Sequence, residues 1–148
     1  MLFQRVNRTD AEKVFVIVYN ASGGAFVAGQ AVEYDSGTSS DGIRVSTPST
    51  AGLSCFAGIT TASIANGAYG LAQVYGLASA RVINDITTAL VAGKILVPVN
   101  GQADLDSKAA GIAAADGKTG FIYALETNAT ATAGAITAAS RRVFVRAL

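Results

Sequence analysis

The chain alternates short apolar runs with turn-forming residues, and few of the runs have helical spacing. Val14-Phe15-Val16-Ile17-Val18-Tyr19 is apolar throughout, short and rich in β-branched residues. That pattern predicts a strand buried on both faces rather than an amphipathic helix. Asn20-Ala21-Ser22-Gly23-Gly24 then supplies residues that tolerate a positive φ. Residues 25–34 read as a returning strand or a pair of short strands, and 34–42 as a polar loop. Residues 43–46 read as another short strand, stopped by Pro48.

The clearest hairpin signal is Asn66-Gly67 between the apolar segments 53–65 and 68–80. A tight hairpin turn of this kind calls for positive φ at both central residues. Arg81-Val82-Ile83 extends the second of these strands, and residues 86–92 predict one helical turn or a loop. Residues 95–99 turn back through Asn100-Gly101, residues 112–115 and 121–126 flank Asp116-Gly117, and 142–148 form a terminal strand. Two Ala-rich stretches, 105–115 and 129–140, have the composition of helices. Gly111 and Gly134 interrupt them and Thr is frequent, so loops or short helical turns are expected there. The fold class expected is all-β, built of short hairpins with at most one or two short helical turns. Residues 1–13 are expected to form an N-terminal arm and 14–148 a single β domain.

One internal echo stands out. Val27-Ala28-Gly29-Gln30-Ala31-Val32-Glu33-Tyr34 resembles Val91-Ala92-Gly93-Lys94-Ile95-Leu96-Val97-Pro98. Each is an apolar pair, a glycine, a polar residue and an apolar run. The echo predicts two similar corners where Gly turns one strand into the next. Two copies are too few to imply a repeat architecture.

Composition changes this picture in one respect. Of the 148 residues 51% are hydrophobic and only 14% are charged, against about 25% charged in an ordinary soluble domain. Either other subunits cover much of the surface, or Ser, Thr and Asn keep it solvated. The net charge of +1 gives no global pull towards nucleic acid or an anionic membrane. The single cysteine, Cys55, allows no internal disulfide and is expected to be a buried core thiol. No secretory signal and no transmembrane helix is legible, so synthesis and folding in a cytoplasm are expected.

The residue patterns that carry chemistry are missing or incomplete. Without histidine there is no Ser–His or Cys–His pair. Gly117-Lys118-Thr119 lacks the glycine a phosphate loop needs five positions earlier, where Ile112 stands. Asp104-Leu105-Asp106 starts like a calcium loop but continues with Lys108 in place of an oxygen ligand. Asn7-Arg8-Thr9, Asn20-Ala21-Ser22 and Asn128-Ala129-Thr130 match glycosylation sequons by chance in a chain without a secretion signal. No catalytic, cofactor-binding or metal-ligating residues are expected, and no enzyme activity.

Two segments suit assembly instead. Leu2, Phe3, Arg5 and Arg8 fray as a free terminus, or serve as apolar anchors and carboxylate partners when laid over a neighbour. In Arg142-Val143-Phe144-Val145-Arg146, strand alternation puts the two valines on one face and Arg142, Phe144 and Arg146 on the other. Phe flanked by two Arg has the composition of an interface, or of a ring covered by arginine stems on a free surface.

Asn20-Ala21-Ser22-Gly23-Gly24-Ala25-Phe26-Val27-Ala28-Gly29-Gln30-Ala31-Val32-Glu33-Tyr34, Gly58-Ile59, Ile64-Ala65-Asn66-Gly67-Ala68-Tyr69-Gly70-Leu71-Ala72-Gln73-Val74-Tyr75-Gly76 and Gly93-Lys94-Ile95-Leu96 resemble small virion proteins of tailed bacteriophages. These are the capsid decoration, or head cement, proteins, and the resemblance covers most of residues 14–148. It implies a compact β-barrel or β-tulip-like sandwich on the outer capsid surface. It also implies a homotrimer or other small oligomer that binds the major capsid protein and stabilises the head. Tyr69 and Tyr75 would then serve in packing or a subunit contact, and the arm at residues 1–13 would match a capsid-contacting terminus in position. A host-glycan-binding module of a phage tail, fibre or head is the alternative, and it requires exposed aromatics within residues 68–75. An enzyme would require two carboxylates converging in a cleft.

Overall fold

The structure is a computed structural model, and it describes residues 12–35, 37, 41–49, 55–84, 89–106, 122–128 and 137–147. Nine strands follow in order: β1 (Val14–Asn20), β2 (Ala31–Tyr34), β3 (Arg44–Ser46), β4 (Phe56–Thr60), β5 (Tyr69–Asn84), β6 (Ile95–Pro98), β7 (Leu105–Asp106), β8 (Ile122–Ala124) and β9 (Thr137–Arg146). The described residues contain no helix, which makes the chain all-β as expected. Of the two Ala-rich stretches, Leu105–Asp106 and Thr137–Ser140 are strand, and most of the rest lies outside the described residues. Tertiary pairing overrides alanine's helix preference here, because residues 137–140 pair with 81–84 on β5.

The strands form one sheet in the order β1-β3-β2-β4-β5-β7-β6-β8-β9, and β5 pairs additionally with both β1 and β9. Those two pairings close two rings, β1-β3-β2-β4-β5 and β5-β7-β6-β8-β9. Both rings have the same construction. The first two strands of each order, β1 with β3 and β5 with β7, run parallel. Every other neighbour is antiparallel.

The registers match too. Asn20↔Val45 corresponds to Val82↔Leu105, Val32↔Gly58 to Leu96↔Ile122, and Thr60↔Ala72 to Ala124↔Val143. The chain therefore runs one five-strand circuit twice. The 16-residue β5 ends the first circuit and begins the second.

The sequence echo marks the same corner in both circuits. Gly29 and Gly93 have φ of 85° and 86°, a region L side chains avoid. Gly29 donates its N–H to the Thr60 carbonyl at 2.8 Å, and Gly93 donates to the Ala124 carbonyl at 2.7 Å. Just before each corner, Phe26 bridges Ile64 and Leu90 bridges Asn128. The corner reading holds, but it understated the echo. Two copies do make a repeated unit, because one shared strand lets both close.

Alternation along the strands fills the two rings. Val18, Phe26, Val32, Val45, Ala57, Ile64 and Ala72 form the first core. Ala80, Val82, Leu90, Leu96, Leu105, Ile122, Ala124, Val143 and Val145 belong to the second. Ala31, Phe56 and Ile59 come from strands of the first ring yet join the second core, so the rings pack on one another. Asn20, fully buried, ties the turn after β1 to residue 64 by donating to the Gly24 and Ile64 carbonyls at 2.8 and 2.9 Å. The sequon at Asn20 is thus occupied by a structural role.

Three local expectations need correction. β1 is buried on one face only: Phe15 and Ile17 are 45% and 65% exposed. The six-residue apolar run does not find its second layer within the described chain. At Asn66-Gly67 the hairpin forms, but only Gly67 has a positive φ (75°). One such residue suffices because Ala68 N–H closes the turn on the Ala65 carbonyl at 3.1 Å, which fits a turn with positive φ at its second central residue alone. Cys55 precedes β4 and is half-buried rather than a core thiol.

Candidate assembly surface

Residues of odd number along β5 point away from the cores. Tyr69, Leu71 and Leu77 are exposed, whereas Ala72, Val74, Ala78 and Ala80 are buried. Gln73 interrupts the exposed row. It is buried where the first ring hands over to the second, and its amide donates to the Tyr75 and Leu77 carbonyls, both at 3.0 Å. The outer face of β5 thereby divides in two, one half flanked by β1 and the other by β9.

The half beside β1 is apolar. Ile17 pairs with Leu71, and Tyr19 with Tyr69. The two tyrosine rings meet edge to face at 5.1 Å, and the Arg44 guanidinium lies 5.8 Å from the Tyr19 ring centre. Arg44 is held in turn by Asp41, its Nε 3.2 Å from the carboxylate. Asp41 also accepts the Ile43 and Arg44 N–H groups, each at 2.9 Å. The backbone hydrogen bond from Arg44, reinforced by that from Ile43, holds the Asp41 carboxyl below the usual range.

The half beside β9 mixes aromatic and cationic groups. Leu77 pairs with Phe144, Ser79 with Arg142 and Tyr75 with Arg146. The Tyr75 and Phe144 rings meet edge to face at 5.4 Å. Arg142 donates through Nε to Glu126 at 3.2 Å and remains 70% exposed. Val143 and Val145 are fully buried beneath this face, as the alternation predicted.

Five predicted contact residues, Tyr69, Tyr75, Arg142, Phe144 and Arg146, thus lie along one surface on β5 and β9. Leu2, Phe3, Arg5 and Arg8 lie outside the described residues. Sequence reasoning missed Phe15, Ile17, Leu71 and Leu77 as members of this surface. The signal was present in the unbroken apolar run of β1, which was assigned to burial within the chain.

A groove of about 340 Å³ is lined by residues of both rings, among them Lys13, Phe15, Thr60, Gln73 and Ser79. No carboxylate is among its described lining residues, so it offers no acid pair for hydrolysis. Asp104 and Asp106 do not form a cation loop. Asp104 accepts from Arg81 Nε at 2.8 Å, and Leu105–Asp106 is strand.

No family model matches the chain, and no curated protein matches it in sequence. Among solved structures, the head fiber gp8.5 N base of bacteriophage phi29 is similar, with a TM-score of 0.51 over 90% of this chain and 94% of that one. The two are 14% identical, so the likeness is one of fold: this chain is built like the base of a bacteriophage head fibre.

Proposed function

We propose that this chain is a structural virion protein of a tailed phage, a decoration protein that binds the outer surface of the head and stabilises it. The observation that carries the reading is the fold shared with a phage head-fibre base across nearly the whole chain. The outer face of β5 supports it with an exposed aromatic, aliphatic and arginine surface, where a monomer with nothing to contact would carry mixed charge. The protein works without catalytic chemistry. The Tyr75–Phe144 pair and the Arg142 and Arg146 side chains meet the major capsid protein, aromatics supplying burial and arginines pairing with carboxylates.

The test is co-sedimentation of purified protein with expanded heads that lack it, together with the heat resistance of those heads. Binding that raises resistance, and that falls for Phe144→Ala or Arg142→Glu, is the expected outcome. Absence of binding to any head surface sinks the reading. One observation favours the glycan-binding alternative: Tyr69, within residues 68–75, is 69% exposed. Binding to a glycan array with no binding to heads would reverse the order of the two.

A further inference from the structure

The chain carries two Asn-Gly turns of one construction, Asn66-Gly67 before β5 and Asn100-Gly101 between β6 and β7. Each turn is closed at 3.1 Å, by Ala68 N–H on the Ala65 carbonyl and by Gln102 N–H on the Val99 carbonyl. In each only the glycine has a positive φ, 75° at Gly67 and 73° at Gly101, as a type II turn requires. In each the glycine N–H donates at 2.8 Å to a backbone carbonyl, Gly67 to Asn20 and Gly101 to Pro48. Both asparagines are exposed. The side chains differ. Asn66 Oδ1 accepts the Gly23 N–H at 3.0 Å, whereas the Asn100 amide makes no hydrogen bond among the described residues. The glycines differ as well. The Tyr19 hydroxyl lies 3.6 Å from where a Cβ on Gly67 would stand, and nothing lies within 4 Å of that point on Gly101.

We infer that Asn100 is a site of spontaneous deamidation, and that the fold protects Asn66 from the same reaction. Asparagine is thermolabile, and a following glycine favours the reaction because no Cβ crowds the attacking nitrogen. The Gly101 nitrogen attacks Asn100 Cγ and gives up its proton to solvent base. The Cγ–Nδ2 bond breaks, and the leaving nitrogen takes up a proton and departs as ammonia. Water then opens the cyclic imide at either carbonyl, leaving aspartate or isoaspartate. Both turns must free the glycine nitrogen from its carbonyl, so that cost is common to the two. Asn66 must also release Gly23 before its side chain can turn towards Gly67, which slows it about fivefold for one ordinary hydrogen bond. Asn100 starts unbound. The product has two effects where it forms. Its carboxylate cancels the formal net charge of +1. Isoaspartate also lengthens the main chain beside Gly101, whose N–H ties the β6–β7 turn of the second ring to Pro48, just after β3 of the first. This chemistry does not depend on the virion reading.

The test is peptide mapping by mass spectrometry of the purified full chain, aged at mildly alkaline pH, with isoaspartate labelled by a protein isoaspartate methyltransferase. Amide loss at residue 100 at least about fivefold faster than at residue 66 is expected, with both aspartate and isoaspartate formed. The same chain unfolded in denaturant should lose the two amides at similar rates, because the turns and the Gly23 bond are gone. Asn100→Gln should remove the acidic species that accumulates first on ion exchange. Equal rates in the folded chain, faster loss at Asn66, or no loss at Asn100 overturns the inference. So does a ratio that is the same folded and unfolded, which would assign the preference to the following residues, Ala68 and Gln102, and not to the fold.

Discussion

Replacing Gly76 by alanine tests how the two rings are joined. Gly76 lies on β5 at the handover between rings, buried and with a φ of 99°. A Cβ there would lie inside the van der Waals surface of the Glu12 carbonyl and 3.3 Å from Lys13 Cα, both backbone atoms leading into β1. Two costs follow. An L residue in the left-handed region loses roughly 1–2 kcal/mol. Pushing residues 12–13 aside strains the start of the β1–β5 ladder at Val14↔Tyr75, where a lost backbone hydrogen bond is worth about 0.5–1.5 kcal/mol. Reduced freedom of the unfolded chain returns about 0.4–1 kcal/mol. The net is a destabilisation of about 2 kcal/mol, or roughly 4–8 °C in Tm for a chain of this size.

Gly93→Ala is the matched comparison. Its φ of 86° carries the same conformational cost, but a Cβ there meets nothing within 4 Å. It should lose on the order of 1 kcal/mol or less once the unfolded-state gain is counted. Thermal unfolding followed by circular dichroism, with both variants in one buffer, measures the difference. Equal losses would falsify the claim that close backbone approach, and not φ alone, fixes glycine at position 76.

Other consequences can be measured in the same way. Leu105→Ala and Val45→Ala, matched positions in the two cores, should cost about 2–5 and 1–3 kcal/mol, and each should still give a single unfolding transition by calorimetry because β5 belongs to both rings. Asn20→Ala should cost about 1–3 kcal/mol by denaturant titration, because two side-chain hydrogen bonds, to the Gly24 and Ile64 carbonyls, are lost at about 0.5–1.5 kcal/mol each. The Asp41 carboxyl titrates below its ordinary value when folded, so its contribution is present at neutral pH and is lost as pH falls through the folded value. Carboxyl chemical shifts should show that depressed midpoint, and an Asp41 midpoint at or above the ordinary value would contradict the hydrogen bonds to Ile43 and Arg44.

Much of the fold was legible because it depends on local alternation. The parity of residues 142–146, the strand at 14–20 and the hairpin around Asn66-Gly67 all follow from a period of two and from turn chemistry. Ring closure was not legible, because it rests on non-local pairings that no window of sequence encodes. The parallel β1–β3 and β5–β7 contacts bring together segments about 25 residues apart, with another strand between them in sequence. The repeat was half legible: the Gly29 and Gly93 corners kept their residues, while elsewhere only the buried pattern repeats and identities such as Asn20 and Val82 diverge. On the candidate surface, Arg142, Phe144 and Arg146 could be read from alternation. Phe15 and Ile17 could not, because an apolar run looks the same whether its outer face is covered by its own chain or by another.

As a decoration protein, this chain would cover the outside of a phage head in many copies. A cryo-electron microscopy reconstruction of the virion, with copy number from quantitative mass spectrometry, tests it most directly. Hundreds of copies ordered on the outer head surface, with the β5–β9 face against the major capsid protein, are the expected result. A handful of copies confined to a tail or tail fibre, or none in the virion, would contradict it.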